Sequence, residues 1–204
     1  MPALANIAKI NGIVISGAPA VSDAHTLIAT ATASASATLS FTSGIDSTYD
    51  AYEFHMVNIH AGTDEDIFGF QFNADGASGF NEAIVSTFFR AENAESGGSP
   101  NVAYSTYHDQ ATTDGNGIYQ HLAVTMQTDN DEAFSGILTL YAPADTTYVK
   151  HFVAKGNYVH NSGKYSQNTF VAGYVNTTSA IDEISFAMAS GNIDAGTIHM
   201  YGVG

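Results

Sequence analysis

The chain has 204 residues, enough for one domain with a full hydrophobic core. Its 20 acidic residues stand against 5 basic ones, a formal net charge of −15. That balance argues against nucleic-acid binding, which needs Lys and Arg to displace counterions from phosphates. With no cysteine at all, the chain has no disulfides, no thiol chemistry and no Cys-ligated zinc.

Charged residues make up only 12% of the chain, so Ser, Thr, Asn, Gly and Ala must cover most of the surface. Helix-forming Lys, Arg, Glu and Leu are scarce while Thr, Val, Ile, Phe and Tyr are plentiful, which favours strands and an all-β protein. Near the N-terminus, Lys9 precedes a short apolar stretch broken by Gly12 and Gly17. It is too short and too interrupted for a membrane span, so no membrane partner is expected. Pro19 and the weak apolar region also speak against a secretory signal.

Residues 1–25 read as an extended arm. Short apolar pieces carrying Ile7, Ile10, Ile13 and Ile15 are separated by Gly and Pro, with no sustained period. Such a segment either forms a first strand pair on the core or reaches over a neighbouring subunit, since it cannot bury itself alone. Residues 27–42 alternate small side chains, suited to a close approach of two layers or two subunits. After a turn at 43–50 comes the first long strand, 52–60. Its alternation puts Tyr52, Phe54 and Met56 on one face, and Glu53, His55, Val57 and Ile59 on the other.

Further strands are predicted at 68–72, 84–90, 118–125, 136–141, 148–158 and 168–175, separated by Gly- and Asn-rich turns. The longest irregular stretch, 91–117, carries Tyr104 and Tyr107, and loops of that length usually make contacts. At the C-terminus Ile184, Phe186 and Met188 alternate, residues 190–194 with Gly196 reverse the chain, and Ile198 to Tyr201 alternate again. This pattern predicts a closing antiparallel hairpin whose edge has to be paired. About nine or ten strands without a helix imply one antiparallel β-sandwich domain, jelly-roll-like, over residues 26–204, with the arm in front of it.

Motifs for chemistry are weak. Eight histidines are scattered, with His55 and His60 read as sharing neither face nor register, and no HExxH occurs. The turns 64–66 (DED) and 129–132 (DNDE) are oxygen-rich enough for Ca²⁺, but neither has the DxDxDG spacing, and acidic turns are mostly just solvated. No GxSxG or phosphate loop is present, so the chain reads as non-enzymatic with no cofactor. Among the 11 Tyr and 12 Phe, Tyr104, Tyr107, Tyr119 and Tyr158 are the candidates for an exposed aromatic surface.

Five blocks carry a family resemblance: IDSTYDAYEFHMVNIH, FGFQFNADG, STFFRA, SGILTLYAPADTTYVKHF and VAGYVNTTSAIDEISFAMASGNIDAGTIHMYGVG. The chain there resembles structural proteins of tailed bacteriophages of aquatic bacteria, most specifically in SGNIDAGTIHMYG. The resemblance implies a jelly-roll virion component and brings no catalytic residues. Its charge would be repelled by packaged DNA, which favours the outer surface of the capsid over the lumen. The expectation is therefore an outer cement or decoration protein, a homotrimer held on the major capsid protein, which stabilises the assembled shell. The alternative is a receptor- or glycan-binding head of a tail or fibre. Ile7, Ile10, Ile13 and Ile15 in the arm, with Tyr104 and Tyr107 in the long loop, are the expected partner contacts.

Overall fold

The computed structural model describes residues 8–10, 13–15, 25–98, 100–111, 119–160 and 164–204. In chain order the strands are β1 (Ala8–Ile10), β2 (Ile13–Ile15), β3 (Thr26–Thr32), β4 (Thr38–Phe41), β5 (Ala51–Ala61), β6 (Asp66–Ala74) and β7 (Ile84–Ala94). They continue as β8 (Asn101–Tyr104), β9 (Gln120–Met126), β10 (Phe134–Tyr141), β11 (Lys150–His160), β12 (Tyr165–Val175), β13 (Ile181–Met188) and β14 (Ile193–Val203). Among the described residues there is no helix.

Two antiparallel sheets form the sandwich. One has eight strands in the order β3-β14-β5-β10-β11-β12-β7-β8, the other four in the order β4-β13-β6-β9. The chain crosses from sheet to sheet at β3–β4, β4–β5, β5–β6, β6–β7, β8–β9, β9–β10, β12–β13 and β13–β14. The half-sheet β3-β14-β5-β10 facing β4-β13-β6-β9 is thus a jelly roll of two interleaved Greek keys. Strands β7 and β8, between β6 and β9, and strands β11 and β12, between β10 and β13, widen only the larger sheet.

This connectivity corrects the closing hairpin. β13 pairs with β4 and β6, while β14 pairs with β3 and β5, so the two last strands lie in different sheets. The turn between them is also shorter than the sequence suggests, because β14 begins at Ile193. β14 is not an edge; it is an interior strand, protected on both sides.

Alternation along β5 places Tyr52, Phe54 and Met56 in the core as expected. Ile59 departs from the pattern, being fully buried rather than sharing a face with Glu53 and His55. The cause is a bulge: the β5–β10 register shifts between Met56 and Ile59, and Asn58 takes a φ of 50°. The core between the sheets is rich in phenylalanine. Phe54 and Phe186 lie 5.7 Å apart, Phe68 and Phe134 5.6 Å, and Phe70 and Phe152 5.3 Å, all fully or almost fully buried. Tilted and edge-to-face pairs of this kind add to area burial by about 0.5–1.5 kcal/mol each.

Ile7 lies outside the described residues. Ile10, Ile13 and Ile15 belong to β1 and β2, which pair with each other as a two-stranded sheet in the register Ile10↔Ile13 and Ala8↔Ile15.

Candidate contact surface

The outward face of the eight-stranded sheet is broad, and several large apolar side chains stand on it. Val57 on β5, Val153 on β11 and Phe89 on β7 are exposed, as is Val102 on the edge strand β8, at 73%. Phe89 and Phe170 are direct cross-strand partners, and their rings stack at 4.8 Å and 10°. Beside them Ile137, Lys155, Asn168 and Phe170 line a shallow depression of about 270 Å³. Lys155 is one of only five cationic side chains in the molecule.

Two of the tyrosines singled out in the sequence flank this face. Tyr104 ends β8, half exposed, and its hydroxyl donates to the Asp109 carboxylate, which raises its pKa. Tyr107, four-fifths or more exposed at 88%, follows in the next turn. Part of the region read as one irregular loop is in fact regular: β7 continues to Ala94, and β8 runs back along it. Tyr158 is not a surface residue. It is 1% exposed, its hydroxyl accepts the Val124 amide at 3.0 Å, and burial pushes its pKa up. Tyr119 is partly buried and lines a pocket with His121 on the smaller sheet.

Near the other end of the large sheet a histidine cluster forms that sequence spacing did not suggest. His25 and His55 both donate from Nε2 to the same oxygen, Oε2 of Glu53, at 3.0 and 2.8 Å. The Tyr201 ring packs 4.8 Å from His55. Burial alone would raise the Glu53 carboxyl, but the hydrogen bonds from His55 and His25 hold it below the usual range. Glu53 and His55 alternate onto one face of β5, and Glu-x-His was the only trace of this in the sequence. His25 arrives from before β3, across β14. The three ligand atoms lie within 4.8 Å of one another and would suit a borderline cation such as zinc; with no ion they satisfy each other.

Hydroxyl activation needs a base that is itself oriented by a third group. Thr30 meets His199 Nδ1 at 2.9 Å, but among the described residues no carboxylate bonds that ring. Comparison with protein-family models, curated proteins and solved structures finds no match to this chain.

Proposed function

We propose that this chain is a non-enzymatic virion structural protein, an outer cement or decoration protein that binds the major capsid protein as a homotrimer and stabilises the assembled shell. The observation that carries the reading is the broad outer face of the eight-stranded sheet, where the large apolar side chains Val57, Phe89, Val102 and Val153 stand in water. Exposed apolar patches of this kind suit protein contact. The jelly-roll connectivity, the resemblance of the five sequence blocks and the net charge of −15, unfavourable beside packaged DNA, all support the same assignment. A protein that binds only the assembled lattice stabilises it by mass action.

One observation favours the second reading, a receptor- or glycan-binding head. Tyr141 and Tyr148, 46% and 70% exposed, line a cavity of about 580 Å³ with His151 and Asp145, a combination of aromatic faces and polar groups suited to a sugar. Particles depleted of this protein distinguish the two. A cement protein predicts depleted particles that lose heat resistance yet still adsorb to host cells. Particles that keep their heat resistance but fail to adsorb would refute it and support the binding head.

A further inference from the structure

One end of the sandwich gathers carboxylates from two turns. Asp129, Asp131 and Glu132 belong to the turn between β9 and β10, and each places a carboxylate oxygen within 4.8 Å of the others. Asp64, from the turn between β5 and β6, fixes the loop beside them. Its Oδ1 accepts the Thr128 amide at 2.9 Å and the Thr128 hydroxyl at 2.7 Å.

An exposed acidic turn alone means little, because water and salt screen its charges. Glu132 is the exception. It is 2% exposed, and its Oε2 has no hydrogen-bond partner. A buried carboxylate without a partner is costly, and Asp129, Asp131 and Asp64 all add repulsion of the same sign. Lys164 offsets part of this, but its ammonium is engaged with Oδ2 of the exposed Asp131 at 2.6 Å. His60 turns its Nε2 to the Asp129 carbonyl, at 2.8 Å, rather than to the carboxylates. The cluster therefore holds more negative charge than its neighbours neutralise.

We propose that this cluster is a calcium site in which Asp129, Asp131 and Glu132 supply ligands and Asp64 lends charge from the facing turn. Ca²⁺ takes roughly six to eight oxygens at about 2.3–2.6 Å, drawn from carboxylates, carbonyls and water. Oxygens around such an ion lie no more than about 5 Å apart, a limit the three carboxylates already meet. The set is all oxygen, which suits a hard cation and disfavours zinc. Bound there, the ion would supply the partner that the buried Glu132 oxygen lacks. Since the buried Glu132 that completes the site is enclosed only in the folded chain, binding would stabilise the fold.

The full chain, treated with EDTA, is melted alone, with CaCl₂ and with MgCl₂. Calcium is expected to raise Tm by about 5 °C or more at a hundredfold excess over its Kd. Magnesium, which demands a compact octahedral shell, is expected to raise it far less. Glu132→Gln should abolish the calcium shift and leave the metal-free protein at least as stable as the parent, because the unpartnered charge is gone. Asp129→Asn, at an exposed position safe for folding, should weaken the shift as well. No calcium shift in the parent, an equal shift with magnesium, or an undiminished shift in Glu132→Gln would each overturn the assignment. None of these outcomes depends on the virion reading.

Discussion

His108 and His121 meet through their Nδ1 atoms at 2.9 Å, so one ring must donate while the other accepts. That contact holds only if the accepting ring is neutral. Burial lowers both pKa values, and His121, with His108 as an adjacent like charge, falls to about 4. An unfolded histidine titrates near 6.5. As pH falls from 6.5 towards 4 the unfolded chain takes up a proton that folded His121 refuses. The stability is therefore complete above 6.5, drains through that window, and amounts to about 3 kcal/mol from this residue. Urea midpoints measured from pH 7 to pH 4 are expected to fall less in His121→Gln than in the parent; parallel profiles would remove His121 as the cause. Neither this pair nor the burial of Glu132 was readable from the sequence. His108 and His121 sit in different segments, and Asp-Asn-Asp-Glu looks like any solvated turn until Phe134, two residues on, is seen to anchor β10 in the core.

At the scale of strands, alternation located most elements well, because a half-buried strand writes period 2 into its own residues. The strand read at 52–60 is β5 (Ala51–Ala61), and the one at 84–90 is the first part of β7. Pairing is another matter, since it depends on residues far away in the chain. β13 and β14 look like a hairpin by proximity, yet jelly-roll connectivity sends them to opposite sheets, and no local signal encodes that. β8 was missed because four mostly exposed residues carry no burial pattern. Glycines in strands mark close approaches that the sequence does not explain. Gly136 and Gly156 face each other across β10 and β11, and the Phe134 ring lies over both. A Cβ on Gly156 would sit 2.3 Å from two ring carbons of Phe134, a fully buried side chain that cannot step aside. Gly156→Ala is thus expected to cost about 1–3 kcal/mol by overpacking, read as a lower urea midpoint. Gly98→Ala, whose nearest neighbour would be 3.9 Å away, is the control and should stay within about 0.5 kcal/mol. Equal midpoints for the two variants would refute the packing account.

For the molecule as a whole, composition was enough to indicate an all-β sandwich, because Lys, Arg, Glu and Leu are scarce while Thr, Val, Ile, Phe and Tyr are plentiful. What the molecule contacts is not written in composition, since exposed Val102 and buried Val171 are the same residue type and differ only in which face the fold gives them. The proposed arm poses the same question on a larger scale. Among the described residues β1 and β2 hydrogen-bond to each other alone, whereas all twelve later strands find partners within the two sheets. A lone two-stranded hairpin is marginal in water. The sandwich should therefore not need residues 1–24, and their apolar isoleucines gain more from a partner than from solvent. Deleting residues 1–24 is expected to shift the stability of the sandwich by less than about 1 kcal/mol, while reducing binding to depleted particles in a co-sedimentation assay. A sharp loss of Tm would assign the segment to the core instead. Unchanged Tm with unchanged binding would confine the contact to the outer sheet face and its flanking residues Tyr104 and Tyr107.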